Sequence, residues 1–383
     1  MYRKFTAQQI FDGQQLLAEK RVLITDQNGV IKDIVPPMDA GDDVQELGGL
    51  LCPGFINAHC HLELSHLKGK LPKEIGLTNF VLNIVNNRSA VKEIIFDAIE
   101  QADEAMRSAG IVAVGDICNT ENTIPLKKKS HLHYHNFIET IGFPEEVAST
   151  RFNAAVDLLK AFQSFSSHNS IVPHAPYSVS QQLLKSIAEF SDEDISSIHN
   201  QESEEENEFI SNKKGPLLEL YRQLGVDLSF FQPSGKRSLD YVLPYFNPRR
   251  NLLLVHNVIT NQSDIDQVKA HFLHTPEQLY FCLCPNANKF ISGALPPLDL
   301  LIKNNSNIVL GTDSLASNDS LSILAEIQLL QKNFPHVELT EMLRWATYNG
   351  AKALKIDNRF GSFEAGKQPG ILSVDGSKVK RLI

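Results

Sequence analysis

The stretch Leu51-Cys52-Pro53-Gly54-Phe55-Ile56-Asn57-Ala58-His59-Cys60-His61-Leu62-Glu63-Leu64-Ser65 decides how the rest of the chain reads. Its apolar start predicts a buried strand, and Asn57, His59 and His61 follow at alternate positions, which on a strand share one face. Two imidazoles leaving the same side of a rigid backbone suit adjacent corners of one metal coordination sphere. A His-x-His pair also serves as two hydrogen-bonded polar residues, so the decision falls to the remaining chain.

Beyond this stretch the pattern alternates. Strand-like runs recur at 111–118, 133–140, 170–174, 195–199, 251–258, 279–285 and 307–312. Apolar residues at helical spacing separate most of them, as at 78–109, 145–165, 180–190, 263–272 and 320–334. Eight strands joined by helical crossovers predict an α/β fold, a (β/α)8 TIM barrel, whose chemistry gathers at the C-terminal strand ends. The chain ends differ. Runs at 21–25 and 30–35 flank Asp26-Gln27-Asn28-Gly29, a hairpin signal, and 361–380 has the same turn-and-strand character. A small β-sandwich of residues 1–52 and 352–383 around a barrel of residues 53–351 is therefore expected.

Composition narrows the function. Hydrophobic residues at 42% and charged residues at 21% of 383 describe a folded globular protein. A net charge of −9 without basic runs of any length argues against nucleic acid or an anionic membrane as partner. The short Lys127-Lys128-Lys129 run reads as a solvated loop. Five irregularly spaced cysteines form no disulfide framework, so a reducing cytoplasm is expected. The first residues, MYRKFTAQQIFDG, lack the apolar core of a signal peptide, and no run of about 18 apolar residues is present to span a membrane.

Several expected strands end in a residue that binds metal or moves protons: His59 and His61, His174, His199, His256 and Asp313. A set of His59, His61, His199 and Asp313, three nitrogens and one oxygen with room for water, suits one Zn²⁺ and accepts Fe²⁺. Such a dication lowers the pKa of water towards neutrality. Glu202, three residues past His199, is placed to protonate a ring nitrogen or leaving group; its alternative is a solvated acid at a helix start beside Glu204, Glu205, Glu206 and Glu208. His256 is placed to hold the water, or is a buried histidine on a backbone partner. Asp313 caps the following helix if it is not a ligand, but a carboxylate ending a buried apolar strand is costly without a cation. The fourth strand, Ile171-Val172-Pro173-His174-Ala175-Pro176, has no lysine for a bridged two-metal site, which favours a single ion.

Together PGFINAHCH, PHAPYS, HNQES, LVHN, CPNAN, GTDSLASN and GSFEAGK, in this order over nearly the whole chain, resemble the amidohydrolase superfamily in its mononuclear branch of nucleobase and nucleoside deaminases and related chlorohydrolases. The resemblance implies His59, His61, His199 and Asp313 as metal ligands, Glu202 as proton shuttle, His256 as the residue that positions water, and Asp313 as a second proton acceptor. It also implies a homodimer and a small-molecule substrate. Gln368-Pro369-Gly370 stands where that family commonly has an Ala-Asp pair, which bears on a local turn alone. His61-Leu62-Glu63-Leu64-Ser65 is similar to aminofutalosine deaminases, which implies hydrolysis of the 6-amino group of an adenine-bearing nucleoside: aminodeoxyfutalosine, S-adenosylhomocysteine, methylthioadenosine or adenosine. By the same resemblance His174 touches the purine or ribose, and Glu63 and Glu139 are further substrate-binding candidates.

Two rival readings stand beside this one. Guanine, cytosine or triazine-type amino- or chlorohydrolysis would use the same site, and a non-catalytic metal-stabilised binding protein would keep the fold but need neither Glu202 nor His256. His131, His133 and His135 alternate as ligands do, but they open the third strand and so belong to the far end of the barrel. Cys282 and Cys284 form a lone CxC, weak as a ligand pair.

Overall fold

The computed structural model describes residues 2–190 and 194–383. Eight parallel strands run through its middle: β1 (Phe55–Cys60), β2 (Ile111–Cys118), β3 (His133–Thr140), β4 (Asn169–Pro173), β5 (Ile195–Asn200), β6 (Asn251–His256), β7 (Leu279–Leu283) and β8 (Ile308–Leu310). They pair in chain order within two four-stranded sheets, β1 to β4 and β5 to β8. The sheets close on each other where His199 N donates to His174 O (2.9 Å), and where Thr312 N and Asp313 N both donate to His59 O (3.0 and 3.1 Å). The result is a (β/α)8 barrel, and both seams are made by residues expected at the site.

Strand composition explains the layers. Ile-Val-Ala-Val in β2 and Leu-Leu-Leu-Val in β6 are buried throughout, as parallel strands covered on both faces require. Alternate residues divide: Ala113, Ile117, Leu253, Val255 and Val309 join one apolar cluster, while Val114, Cys118, Leu252, Leu254 and Leu310 pack in another with Ile99, Met106 and Leu159 of the surrounding helices. Gly311 follows β8 because a Cβ there would lie 2.8 Å from His59 Cβ and 3.0 Å from Cys284 Sγ. All five cysteines are free and buried. Among the described residues no helix is long and apolar enough to cross a membrane.

Both chain ends form the small β-sandwich. One sheet has the order Ile31–Val35, Val22–Asp26, Tyr2–Thr6, Val44–Glu46; the other has Lys378–Arg381, Ile371–Asp375, Leu50–Pro53, Gln9–Ile10. Phe5, Leu23, Ile31, Leu51, Phe363 and Ile371 fill the space between them. Leu50–Pro53 pairs with Ile371–Asp375 and passes through Gly54 into β1, so the strand that carries His59 is anchored at its base by the far end of the chain.

Three local expectations change. The helical stretch 78–109 is two helices, Leu77–Asn87 and Lys92–Ser108, with a break at Arg88 where the backbone carbonyl meets His66 Nε2 at 3.1 Å. Asn57 does not share the face of His59. The register of β1 against β2 slips between Asn57 and Cys60, and Asn57 is spent on the neighbouring strand, its Nδ2 donating to Thr312 Oγ1 (2.7 Å) and its Oδ1 accepting from Thr312 N (3.0 Å). Lys127 is not in a solvated loop: its ammonium is buried against Asp116 (2.5 Å) and Asn136 Oδ1 (2.9 Å), while Lys128 and Lys129 stay exposed. A carboxylate inside the apolar strand Ile111–Cys118 requires such a cation.

Candidate active site

The C-terminal strand ends bring His59, His61, His199 and Asp313 together with all ligating atoms within 4.8 Å of one another. His61 Nε2 lies 3.1 Å from His59 Nε2 and 3.2 Å from His199 Nε2, and Asp313 Oδ1 lies 3.3 Å from His61 Nε2 and 3.6 Å from His59 Nε2. Nitrogens bound tetrahedrally at the usual zinc distance would stand about 3.3 Å apart. His199 Nδ1 donates to His174 O (2.8 Å), which leaves its Nε2 as a lone pair facing the cluster. The donor set therefore fits one divalent cation better than any mutual hydrogen-bonding pattern of three buried imidazoles.

Electrostatics agree with the geometry. Burial lowers the pKa of His59 and His199 and keeps both rings neutral, the form that ligates. Burial opposes ionisation of Asp313, yet its contact with His59 and the imidazoles around it hold its carboxyl below the usual carboxylate range. Ser317 Oγ donates to Asp313 Oδ2, which leaves Oδ1 facing the imidazoles. Glu202 is also buried, and desolvation, reinforced by Asp313, raises its pKa well above the ordinary value, so this carboxyl holds a proton. Its Oε2 stands 3.7 Å from His256 Nε2, and burial pushes His256 down to about 3.

Strained backbone accompanies these residues. Gln201, His256, Asn257 and Asp313 have φ of 49°, 76°, 58° and 55°, the left-handed region that non-glycine residues avoid. At β6 the turn is held by Asn257, whose N donates to Asn200 O (3.0 Å) and whose Nδ2 donates to Leu254 O (2.7 Å).

A cavity of about 400 Å³ opens over the cluster. His61, Glu139, His174, His199, Glu202, His256 and Asp313 reach it at the polar end. The helix Leu77–Asn87 presents Leu77, Phe80, Val81 and Ile84, an i, i+3, i+4, i+7 stripe, as an apolar wall, with Phe143 and Tyr177 across from it. Glu139 Oε2 accepts from Asn119 Nδ2 (2.9 Å), while its Oε1 lies 3.7 Å from His199 Nδ1. His174 Nδ1 pairs with Ser178 Oγ (2.6 Å). Glu139, His174 and His199 also form a second potential ligand group, but His199 Nδ1 is committed to the His174 carbonyl, so this group is not an independent metal site.

Glu63 is the candidate that the fold sets apart. It does not line the cavity; its carboxyl accepts from Thr120 N (2.9 Å), Thr120 Oγ1 (3.0 Å) and Asn119 N (3.3 Å), and so supports the loop that carries Asn119. Burial raises it to about 7. Asn119, together with Arg88 and Arg151 on the cavity wall, has no distinguishing mark in the sequence beyond belonging to polar loops and helices, while Ser178, Asn288 and Ser317 fall within PHAPYS, CPNAN and GTDSLASN. The last two residues of PHAPYS and the second asparagine of CPNAN were the available signals for Ser178 and Asn288.

Comparison with known proteins adds three findings. The amidohydrolase family model matches residues 50–382. The chain is 31% identical to adenosine deaminase of Helicobacter pylori over 86% of this chain and 80% of that protein, and 27% identical to 5-methylthioadenosine/S-adenosylhomocysteine deaminase of Teredinibacter turnerae over 86% and 72%. It is similar in structure to Helicobacter pylori aminofutalosine deaminase in complex with methylthio-coformycin, with a TM-score of 0.85, 25% identity, and coverage of 97% of this chain and 92% of the other.

Proposed function

The chain belongs to the amidohydrolase family, and on that premise we propose that it deaminates an adenine-bearing nucleoside, replacing the 6-amino group with a carbonyl oxygen and releasing ammonia. The observation that carries the reading is the placement of Glu202 and His256 in one cavity with the His59, His61, His199 and Asp313 cluster. A metal that only stabilised the fold would need neither. The names of the similar proteins, adenosine, methylthioadenosine/S-adenosylhomocysteine and aminofutalosine deaminases, support adenine nucleosides over guanine, cytosine or triazines.

In this proposal His59, His61, His199 and Asp313 hold one divalent cation, Zn²⁺ in preference to Fe²⁺ because three imidazoles and a carboxylate in a compact set suit zinc. Bound there, the cation supplies Lewis acidity and a water of lowered pKa. Glu202, kept protonated by burial, gives its proton to the ring nitrogen beside C6, which makes that carbon electrophilic. Asp313, kept ionised, accepts one proton of the attacking water and passes it to the departing amine, and Glu202 recovers its proton from the remaining hydroxyl as the carbonyl forms. His174 and Glu139, at the polar wall, orient the base and ribose, and the apolar stripe of Leu77–Asn87 covers them and excludes bulk water. Glu63 acts indirectly, through the Asn119–Thr120 loop.

The test is ammonia release by zinc-loaded protein from adenosine, methylthioadenosine, S-adenosylhomocysteine, aminodeoxyfutalosine, guanine and cytosine, beside a chelated control. Metal-dependent release from at least one adenine nucleoside, with guanine and cytosine inert, is expected. Silence across all the nucleosides with metal firmly bound would overturn the reading.

A further inference from the structure

The motif Cys284-Pro285-Asn286-Ala287-Asn288 takes no part in the reaction described above, yet its last residue reaches the site. Asn288 lies on the helix Pro285–Ser292 that follows β7, is 1% exposed, and places Nδ2 2.9 Å from His256 Nδ1. The other ring nitrogen, His256 Nε2, faces Glu202 Oε2 at 3.7 Å. A neutral imidazole has one N–H and one lone pair, so what Asn288 does at Nδ1 decides what Nε2 offers to the cavity.

We propose that Asn288 is a positioning residue that donates to His256 Nδ1 and thereby holds His256 as the Nε2–H tautomer. Two features favour this assignment over the reverse. The amide nitrogen that Asn288 turns toward Nδ1 can only donate, so Nδ1 accepts and the ring proton falls to Nε2, the nitrogen that faces Glu202. A lone pair at Nε2 would also compete for the proton of Glu202, the proton that the proposed reaction spends on the substrate ring. With the N–H directed into the cavity, His256 can only donate, to water or substrate oxygen, and Glu202 keeps its proton for the base. His256 sits in a left-handed turn, with φ at 76°, and its ring spans from Asn288 at Nδ1 to Glu202 at Nε2.

The inference rests on the deaminase reading for its consequence but not for its test. Long-range proton–nitrogen spectra of zinc-loaded protein labelled in its histidine rings, with the His256 signals assigned by their loss in His256→Gln, report the tautomer without turnover. Expected in the native protein are a protonated Nε2 and an unprotonated Nδ1. Asn288→Asp, nearly isosteric but an acceptor, should move the proton to Nδ1, lower kcat by about 10- to 100-fold, leave KM within a few-fold, and leave metal content unchanged. A proton on Nδ1 of the native ring overturns the proposal whether or not the variant folds. So does an Asn288→Asp protein with the tautomer and kcat of the native one. Absence of ammonia release from every adenine nucleoside, with the Nε2–H tautomer present, would instead count against the deaminase reading and leave Asn288 as the residue that sets the ring.

Discussion

Histidines cluster at both ends of the barrel, and the two clusters differ in what surrounds them. At the C-terminal end His59, His61, His199 and His256 converge with Asp313 and Glu202, and the backbone at Gln201, His256, Asn257 and Asp313 is bent into left-handed turns. At the N-terminal end His133 stacks edge-on against His168 with ring centroids 4.5 Å apart, and His135 Nε2 pairs with Ser170 Oγ at 2.9 Å. Burial lowers His133 to about 4 and His135 to about 3, and the groups acting on them are other imidazoles and the cations Arg359 and Lys127. Alternation along a strand produces both clusters. Only the first combines neutral lone pairs with a carboxylate that stays ionised and a carboxyl that stays protonated, which is what metal binding and proton transfer need. Burial makes an imidazole neutral; its neighbours make it useful.

The contrast breaks most readily at the metal. His199→Ala should reduce bound metal to well under one ion per chain, measured by elemental analysis after dialysis, and lower deamination by about 10⁴-fold or more. Full activity without metal would erase the difference between the two ends. Glu202→Gln comes next: kcat should fall by about 10²- to 10⁴-fold while metal content and melting temperature stay native, because the amide keeps the shape and loses the proton. Loss of metal and fold together would move Glu202 from proton transfer to structure.

A smaller effect sharpens the picture of which carboxyls at the upper end carry charge. Glu206 accepts from Gln201 N (2.8 Å) and burial raises it to about 7. A carboxyl whose folded pKa lies above its unfolded value of about 4.5 contributes stability at low pH that is lost as pH rises through about 7. Relative to Glu206→Gln, the native protein should therefore lose on the order of 2 kcal/mol of unfolding free energy between pH 4.5 and pH 8, read by urea denaturation. A gain over that interval would mean that Glu206 is ionised in the fold. The smallest effect belongs to the other end. His135→Leu should leave kcat/KM within about two-fold and cost about 1 to 2 kcal/mol of stability, since Ser170 loses its partner. A ten-fold loss of activity would show that the two ends are coupled.

Much of the barrel was legible because its strands are apolar runs that alternate with helical spacing and end in polar or turn residues. Ile111–Cys118 and His133–Thr140 occupy the predicted positions, and the Asp26-Gln27-Asn28-Gly29 hairpin joins two paired strands. The break at Arg88 was not legible, because the apolar spacing of 78–109 satisfies one helix as well as two. The face of Asn57 was lost to a register slip, which period-two reasoning does not register. Lys127 was misjudged with its two solvated neighbours, although Asp116, a carboxylate within an apolar strand, was the sign that a cation had to be near.

By itself the sequence determined the element order, the kinds of ligand atom available and the strand ends that carry them, since these follow from periodicity and side-chain chemistry. Tertiary structure alone decided which of those atoms meet. Ring closure sets the β8 end of the barrel beside β1, so that Asp313 reaches His59 across 254 positions of sequence. It turns Glu63 into support for a loop, and it sets Asn288 behind His256. Those are distances between residues remote in the chain, and they come from packing a closed sheet, which no local pattern encodes.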